Sequence, residues 1–72
     1  MNTNWIERVV RMNAAIVEAE ARHDTQVAVL VVLANQRHDT TQAKRLLASY
    51  RQSLDLMREM QAELLRDTQA AE

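Results

Sequence analysis

Glycine, proline, cysteine and phenylalanine are all absent from the 72 residues of this chain. Glycine and proline usually make tight turns and strand connections, so their absence favours helices. The glycine-rich loops that hold nucleotide phosphates are excluded for the same reason. Without cysteine there is no disulfide, no thiolate nucleophile and no thiolate metal site, which favours a reducing, cytoplasmic location.

Charge and hydropathy exclude two further classes of protein. Nine basic and ten acidic side chains give a net charge of −1, so the whole-chain field does not attract nucleic acid. The longest apolar run, residues 27–34, has eight residues, whereas a membrane-spanning helix needs about 17 to 25. The first residues also lack the basic start and apolar stretch of a secretory signal. We therefore expect no membrane association and a cytoplasmic protein.

Apolar residues recur at spacings of three and four in both halves of the chain, as on one face of an α-helix. The first stripe consists of Trp5, Val9, Met12, Ile16, Ala19, His23, Val27, Leu30 and Ala34. The second consists of Ala43, Leu47, Tyr50, Leu54, Met57, Gln61 and Leu64, with Leu46 and Met60 widening it. The pattern predicts an all-α, antiparallel two-helix hairpin. We expect residues 1–72 to form a single domain with helices over about 3–35 and 40–68 and a turn over about 36–39.

The turn has a capping signal, but two other arrangements compete with the hairpin. Asp39 or Thr40 can accept a backbone N–H of the second helix, and Gln42 stands where a capping-box partner would. The segment around His23 and Asp24 resembles this turn, so a break there would give a three-helix bundle. A third possibility is a strand over residues 27–33, which contain four valines.

Self-association is expected because residues 27–34 are apolar on every side of the helix, and one partner helix covers only one side. Two hairpins packed as a four-helix bundle would cover the rest, which predicts a homodimer, with a tetramer as second choice. A partner protein is another way to cover the same surface. The residues expected in self-association are Val27, Leu30, Val31, Leu33, Leu46, Leu47, Tyr50 and Leu54.

The charges are divided between the two ends of the hairpin. Residues 36–51 carry a net charge of +3 and residues 55–72 a net charge of −3. The cations of the turn end are candidates for contact with an anion or with nucleic acid, namely Arg37, Lys44, Arg45 and Arg51. Combined from two subunits, they suggest a small RNA- or DNA-binding four-helix bundle as an alternative function.

Little in the sequence indicates catalysis. Glu20 and His23 have the Glu-x-x-His spacing that helical bundles use to bind metals, which makes a metal-binding bundle a remote alternative. Without further inward carboxylates the ligand set is incomplete, and His23 is expected to be partly buried and bonded to Asp24 or a facing group. Ser49 and Ser53 have no histidine nearby in sequence. We therefore expect no enzyme activity and no cofactor.

The second half of the chain resembles a group of short, uncharacterised alphaproteobacterial helical proteins. The residues that carry the resemblance are His38-Asp39-Thr40, Ala43, Leu46-Leu47 and Ser53-Leu54-Asp55-Leu56-Met57. In that group a glycine usually precedes the His-Asp-Thr turn, whereas this chain has Arg37. The resemblance implies a bacterial origin and a turn before the second helix, and no activity. The function expected is thus a non-enzymatic, self-associating module for protein–protein interaction or regulation.

Overall fold

Two long helices form an antiparallel hairpin in the computed structural model, which describes residues 3–71 and the side chains of residues 4–67. Helix α1 covers Thr3–Asn35 and helix α2 covers Thr41–Ala71. The Cα framework measures 56 by 15 by 12 Å. Helix α1 continues through His23 and Asp24, and residues 27–33 are helical. The three-helix and strand alternatives are therefore wrong.

The inner face of α2 is the one that its sequence predicts. Ala43, Leu54 and Leu64 are buried against α1, and the predicted residues between them are half-buried, namely Leu47, Tyr50, Met57 and Gln61. Leu46 and Met60, expected to widen this face, are exposed. Side chains at spacings of three and four thus form a narrow seam, as in a coiled coil.

The inner face of α1 departs from the prediction in its second half. Gln26 is buried, whereas Val27, predicted to lie in the seam, is 38% exposed. Likewise Leu33 is half-buried, whereas Ala34 is exposed. The alternating spacing of four and three that begins at Trp5 therefore continues unchanged through Gln26 and Leu33. The seam residues of α1 are Trp5, Val9, Met12, Ile16, Ala19, His23, Gln26, Leu30 and Leu33.

Helix α1 ends in a tight turn centred on Arg37. The backbone N–H of Arg37 donates to the Ala34 carbonyl (3.1 Å), and that of His38 donates to the Leu33 carbonyl (2.9 Å). This pair of bonds is the Schellman motif, whose left-handed position is usually glycine. Here Arg37 occupies it, with φ of 59°. An arginine therefore adopts a conformation that is costly for any residue with a Cβ atom.

Asp39 caps the beginning of α2. Its Oδ1 accepts hydrogen bonds from the Thr41 hydroxyl (2.7 Å) and the Thr41 backbone N–H (3.0 Å). The Thr40 carbonyl accepts the bond from Lys44 N–H, so Asp39 lies just before the first helical turn. The Thr41 hydroxyl and backbone N–H, with a smaller attraction from Lys44, hold the pKa of Asp39 below its ordinary value. The predicted capping role of Asp39 is confirmed.

Two hydrogen bonds tie the helices together near the open end of the hairpin. The indole Nε1–H of Trp5 donates to the carbonyl of Leu64 (2.9 Å). Gln61 Nε2 donates to Asn13 Oδ1. These bonds fix the register of α1 against α2 with directional contacts, which apolar packing alone does not provide.

Candidate functional site

The residues expected in self-association divide into two groups. Leu54 is buried in the seam, and four others are half-buried there, namely Leu30, Leu33, Leu47 and Tyr50. The remaining three, Val27, Val31 and Leu46, are exposed. Contact between α1 and α2 thus uses five of the eight residues, and the three exposed ones can contact a second chain.

Exposed apolar side chains are concentrated on α1. Among the residues with described side chains, α1 carries seven large hydrophobic residues that are at least 38% exposed: Ile6, Val10, Val17, Val27, Val29, Val31 and Val32. Helix α2 carries four, namely Leu46, Leu56, Met60 and Leu65. Four of these residues, at positions 27, 29, 31 and 32, lie within two helical turns, and grouped exposed apolar residues mark interaction sites. This surface is the strongest candidate site on the chain.

The predicted anion-binding residues lie at and after the turn. Arg37, Lys44, Arg45 and Arg51 are all exposed. Lys44 and Arg51, two helical turns apart, border a shared groove on α2 that Asp55 also lines. The hairpin therefore has a cationic tip, although one carboxylate lies at the border of the groove.

The predicted metal ligands lie in a cleft between the helices. The α1 side of the cleft is lined by Glu20, His23 and Asp24. The α2 side is lined by Arg51, Leu54, Asp55 and Arg58. Glu20 Oε1 is 4.0 Å from Arg58 Nη2. His23 is half-buried, and its Nδ1 is 3.1 Å from Asp24 Oδ1, as predicted.

This cleft is poorly suited to a cation. Two guanidinium groups beside the carboxylates oppose the entry of a positive ion. Over the described residues, no group of three or more metal-ligating side chains comes together. Glu20 and His23 thus remain a pair without a third ligand, and the carboxylate of Glu20 is directed to an arginine.

Gln26 is the interior polar residue that the sequence interpretation missed. Its Nε2 donates to the carbonyl of Ala43 (3.1 Å), in the first turn of α2. Buried amides normally require such a partner. The sequence does contain a signal for this burial, because the alternating spacing of four and three leads from His23 to Gln26. The bond pins the register of the helices close to the turn.

Neither a membrane-spanning helix nor a similarity to known proteins points to a further functional site. Neither helix has, over the residues described, an apolar segment of the length needed to cross a bilayer. No protein-family model, curated protein or solved structure matches the chain. The resemblance to short alphaproteobacterial proteins therefore stays a prediction.

Proposed function

We propose that this chain is a non-enzymatic module that works by self-association and by binding another protein. The observation that carries the proposal is the imbalance of burial. Along the described side chains, four apolar residues are buried and eleven large hydrophobic residues are exposed. A two-helix hairpin of this size is marginally stable when alone, so covering its exposed apolar surface would stabilise the fold. A homodimer is the simplest assembly that does so.

The same proposal includes where and how the protein acts. The absence of cysteine favours the cytoplasm. In an assembled dimer, the exposed Val29, Val32 and Leu46 would offer a remaining apolar surface near the turn to a partner protein. A regulatory or adaptor role fits a chain in which recognition surfaces are more evident than reactive groups.

The test is the absolute mass in solution, measured by light scattering on a sizing column across a hundredfold range of concentration. The proposal expects a dimer, with dissociation only at the lowest concentrations. Circular dichroism at each concentration checks that the chain remains helical. A helical monomer throughout the range would overturn the self-association part of the proposal.

Nucleic-acid binding is a second candidate, supported by the exposed cations of the turn end. Arg37, Lys44 and Arg45 are exposed near one tip of the hairpin, where they would reach phosphates without rearrangement. Gel shifts with short RNA and DNA duplexes at rising salt test this candidate. Binding that falls steeply with salt supports it, and no shift at low salt excludes it.

A further inference from the structure

A second stripe of side chains lies on α1, one residue after each seam residue and so about 100° around the helix. All of its residues with described side chains are exposed: Ile6, Val10, Asn13, Val17, Glu20, Asp24, Val27, Val31 and Ala34. The stripe is apolar at both ends and polar in the middle. Reversed about a point between Val17 and Glu20, the stripe pairs Ile6 with Val31 and Val10 with Val27, and each pair is apolar. The same reversal sets the polar Asn13 opposite Asp24 and leaves Val17 opposite Glu20, so the stripe is complementary to its own reverse at three of four pairs.

The corresponding stripe on α2 is also largely complementary to its own reverse. Its members, one residue after each seam residue, are Lys44, Ala48, Arg51, Asp55, Arg58, Ala62 and Leu65. Ala48 and Leu65 lie toward its ends, and Asp55 and Arg58 lie on either side of its midpoint. All four are exposed. Reversal brings Ala48 opposite Leu65 and Asp55 opposite Arg58. Both pairs are favourable, since one is apolar and the other joins opposite charges. The remaining pair sets Arg51 opposite Ala62.

The two stripes share one side of the hairpin, and their centres of reversal lie at the same level along it. Glu20 of the α1 stripe lies 4.0 Å from Arg58 of the α2 stripe, measured between Oε1 and Nη2. The reversal of the α1 stripe is centred between Val17 and Glu20, and that of the α2 stripe is centred between Asp55 and Arg58. A single two-fold axis through this point therefore reverses both stripes at once. We name the side formed by the two stripes the outer face.

We infer that the outer face is the self-association surface and that its occupant is a second copy of this chain in antiparallel orientation. Helix α1 then packs on α1 of the partner subunit, with Val10 of each copy opposite Val27 of the other. Helix α2 packs on α2, with Asp55 of each copy beside Arg58 of the other. The inference deepens the proposed function and rests on it, because it requires that the chain self-associates.

A parallel dimer on the same face would be less complementary. It places α1 against α2 of the other copy, so Val27 and Val31 would meet the stretch of α2 that contains Lys44 and Arg51. The antiparallel arrangement instead brings valine to valine.

Cysteine cross-linking tests the inference directly, since the chain has no cysteine of its own. Val10 and Val27 lie about 25 Å apart along one helix, so they cannot be bridged within a chain. The double variant Val10→Cys/Val27→Cys is expected to oxidise to a covalent dimer. An equimolar mixture of the two single variants should give the mixed dimer, while each single variant alone remains mostly monomeric on a non-reducing gel.

The matched control is Arg8→Cys/Thr25→Cys, which has the same spacing on the opposite face of the hairpin and also replaces exposed residues. We expect it to cross-link at least about tenfold more slowly. Faster cross-linking of this control, or equally efficient cross-linking of each single variant alone, would overturn the antiparallel outer-face interface. Light scattering on the unmodified chain separates the two proposals. A monomer refutes self-association itself, whereas a dimer without the Val10–Val27 link refutes only this interface.

Charges introduced at Val10 and Val27 give an independent test that does not depend on oxidation. Val10 is 60% exposed within the hairpin, so Val10→Lys should leave helicity unchanged and weaken the dimer by at least about tenfold. The double variant Val10→Lys/Val27→Glu places opposite charges across the interface and should restore part of that loss. Equal dimerisation of all three chains would contradict the inference.

Discussion

The Trp5 indole and the Leu64 carbonyl, 59 residues apart in sequence, share a 2.9 Å hydrogen bond that ties the open end of the hairpin. Trp5→Phe keeps an aromatic ring in the seam but removes the donor, so we expect a loss of about 1 kcal/mol in the free energy of unfolding. Urea unfolding followed by circular dichroism at fixed protein concentration measures the change. An unchanged midpoint would show that this bond does not stabilise the fold.

The buried amide of Gln26 allows a comparison of two substitutions at one position. Gln26→Leu fills the seam with an apolar residue, and we expect stability to be equal or higher because the Ala43 carbonyl lies within a helix. The amide's contribution is to register, so this variant should show more than one assembly by native mass spectrometry. A lower unfolding midpoint together with a single assembly would contradict this account.

Gln26→Glu is the nearly isosteric partner of that variant, with a pH-dependent outcome. Burial raises the pKa of the introduced carboxyl, and its charged form faces the Ala43 carbonyl oxygen, which costs roughly 1–3 kcal/mol at pH 7. Once the pH falls below the raised pKa, the protonated carboxyl donates to that oxygen and stability returns. Urea midpoints relative to the unmodified chain, at pH 7 and pH 5, test the sign. A deficit that grows toward pH 5 would refute it.

Arg37 holds the left-handed position of the Schellman turn with φ of 59°. For residues with a Cβ atom this conformation costs roughly 1–2 kcal/mol, part of which glycine gives back through its greater freedom in the unfolded chain. Arg37→Gly is therefore expected to stabilise the fold by about 1 kcal/mol, whereas Arg37→Ala should give no such gain. Thermal unfolding of the unmodified chain and the two variants at one protein concentration tests this expectation. Equal Tm values would argue against strain at this turn.

Asp39 makes a pH-dependent contribution through its bonds to Thr41. Its pKa is lowered in the folded chain, so this stabilisation is present above the unfolded pKa of about 3.9 and is lost as the pH falls through the folded value. An NMR titration of the Asp39 carboxyl should show a midpoint below that of an unstructured peptide. Asp39→Asn keeps an acceptor at the cap but should remove this part of the acid sensitivity of unfolding.

The inner face of α2 followed from its sequence, whereas that of α1 did not, and residues 27–34 explain the difference. In α2 the apolar residues Tyr50 and Leu54 each have a polar residue on both sides, so only one phase of the repeat fits. In α1 every residue from 27 to 34 is apolar, so either phase fits, and a polar residue at position 26 makes the wrong phase look better. The hydrogen bond from Gln26 reverses that preference.

The turn and the outer face show what a sequence pattern leaves open. A glycine would have indicated the left-handed position in the sequence, but the chain has Arg37 there. Only the backbone dihedral angle and hydrogen bonds show its conformation. The outer face required knowing which side of each helix the seam uses. The Glu20–Arg58 pair places both stripes on one side of the hairpin and brings their centres of reversal to one level.

Leu30 and Val31 are adjacent in sequence but serve different surfaces, so they separate folding from assembly. Leu30 is half-buried in the seam, and Val31 is 51% exposed on the outer face. Leu30→Asp places an unpaired charge between the helices, which costs several kcal/mol, and we expect loss of both helicity and dimer mass. Val31→Asp should preserve the helical circular dichroism signal and lower only the mass measured by light scattering. If both variants lost helicity equally, folding and dimerisation would be one coupled event. If Val31→Asp kept the full dimer mass, Val31 would lie outside the interface.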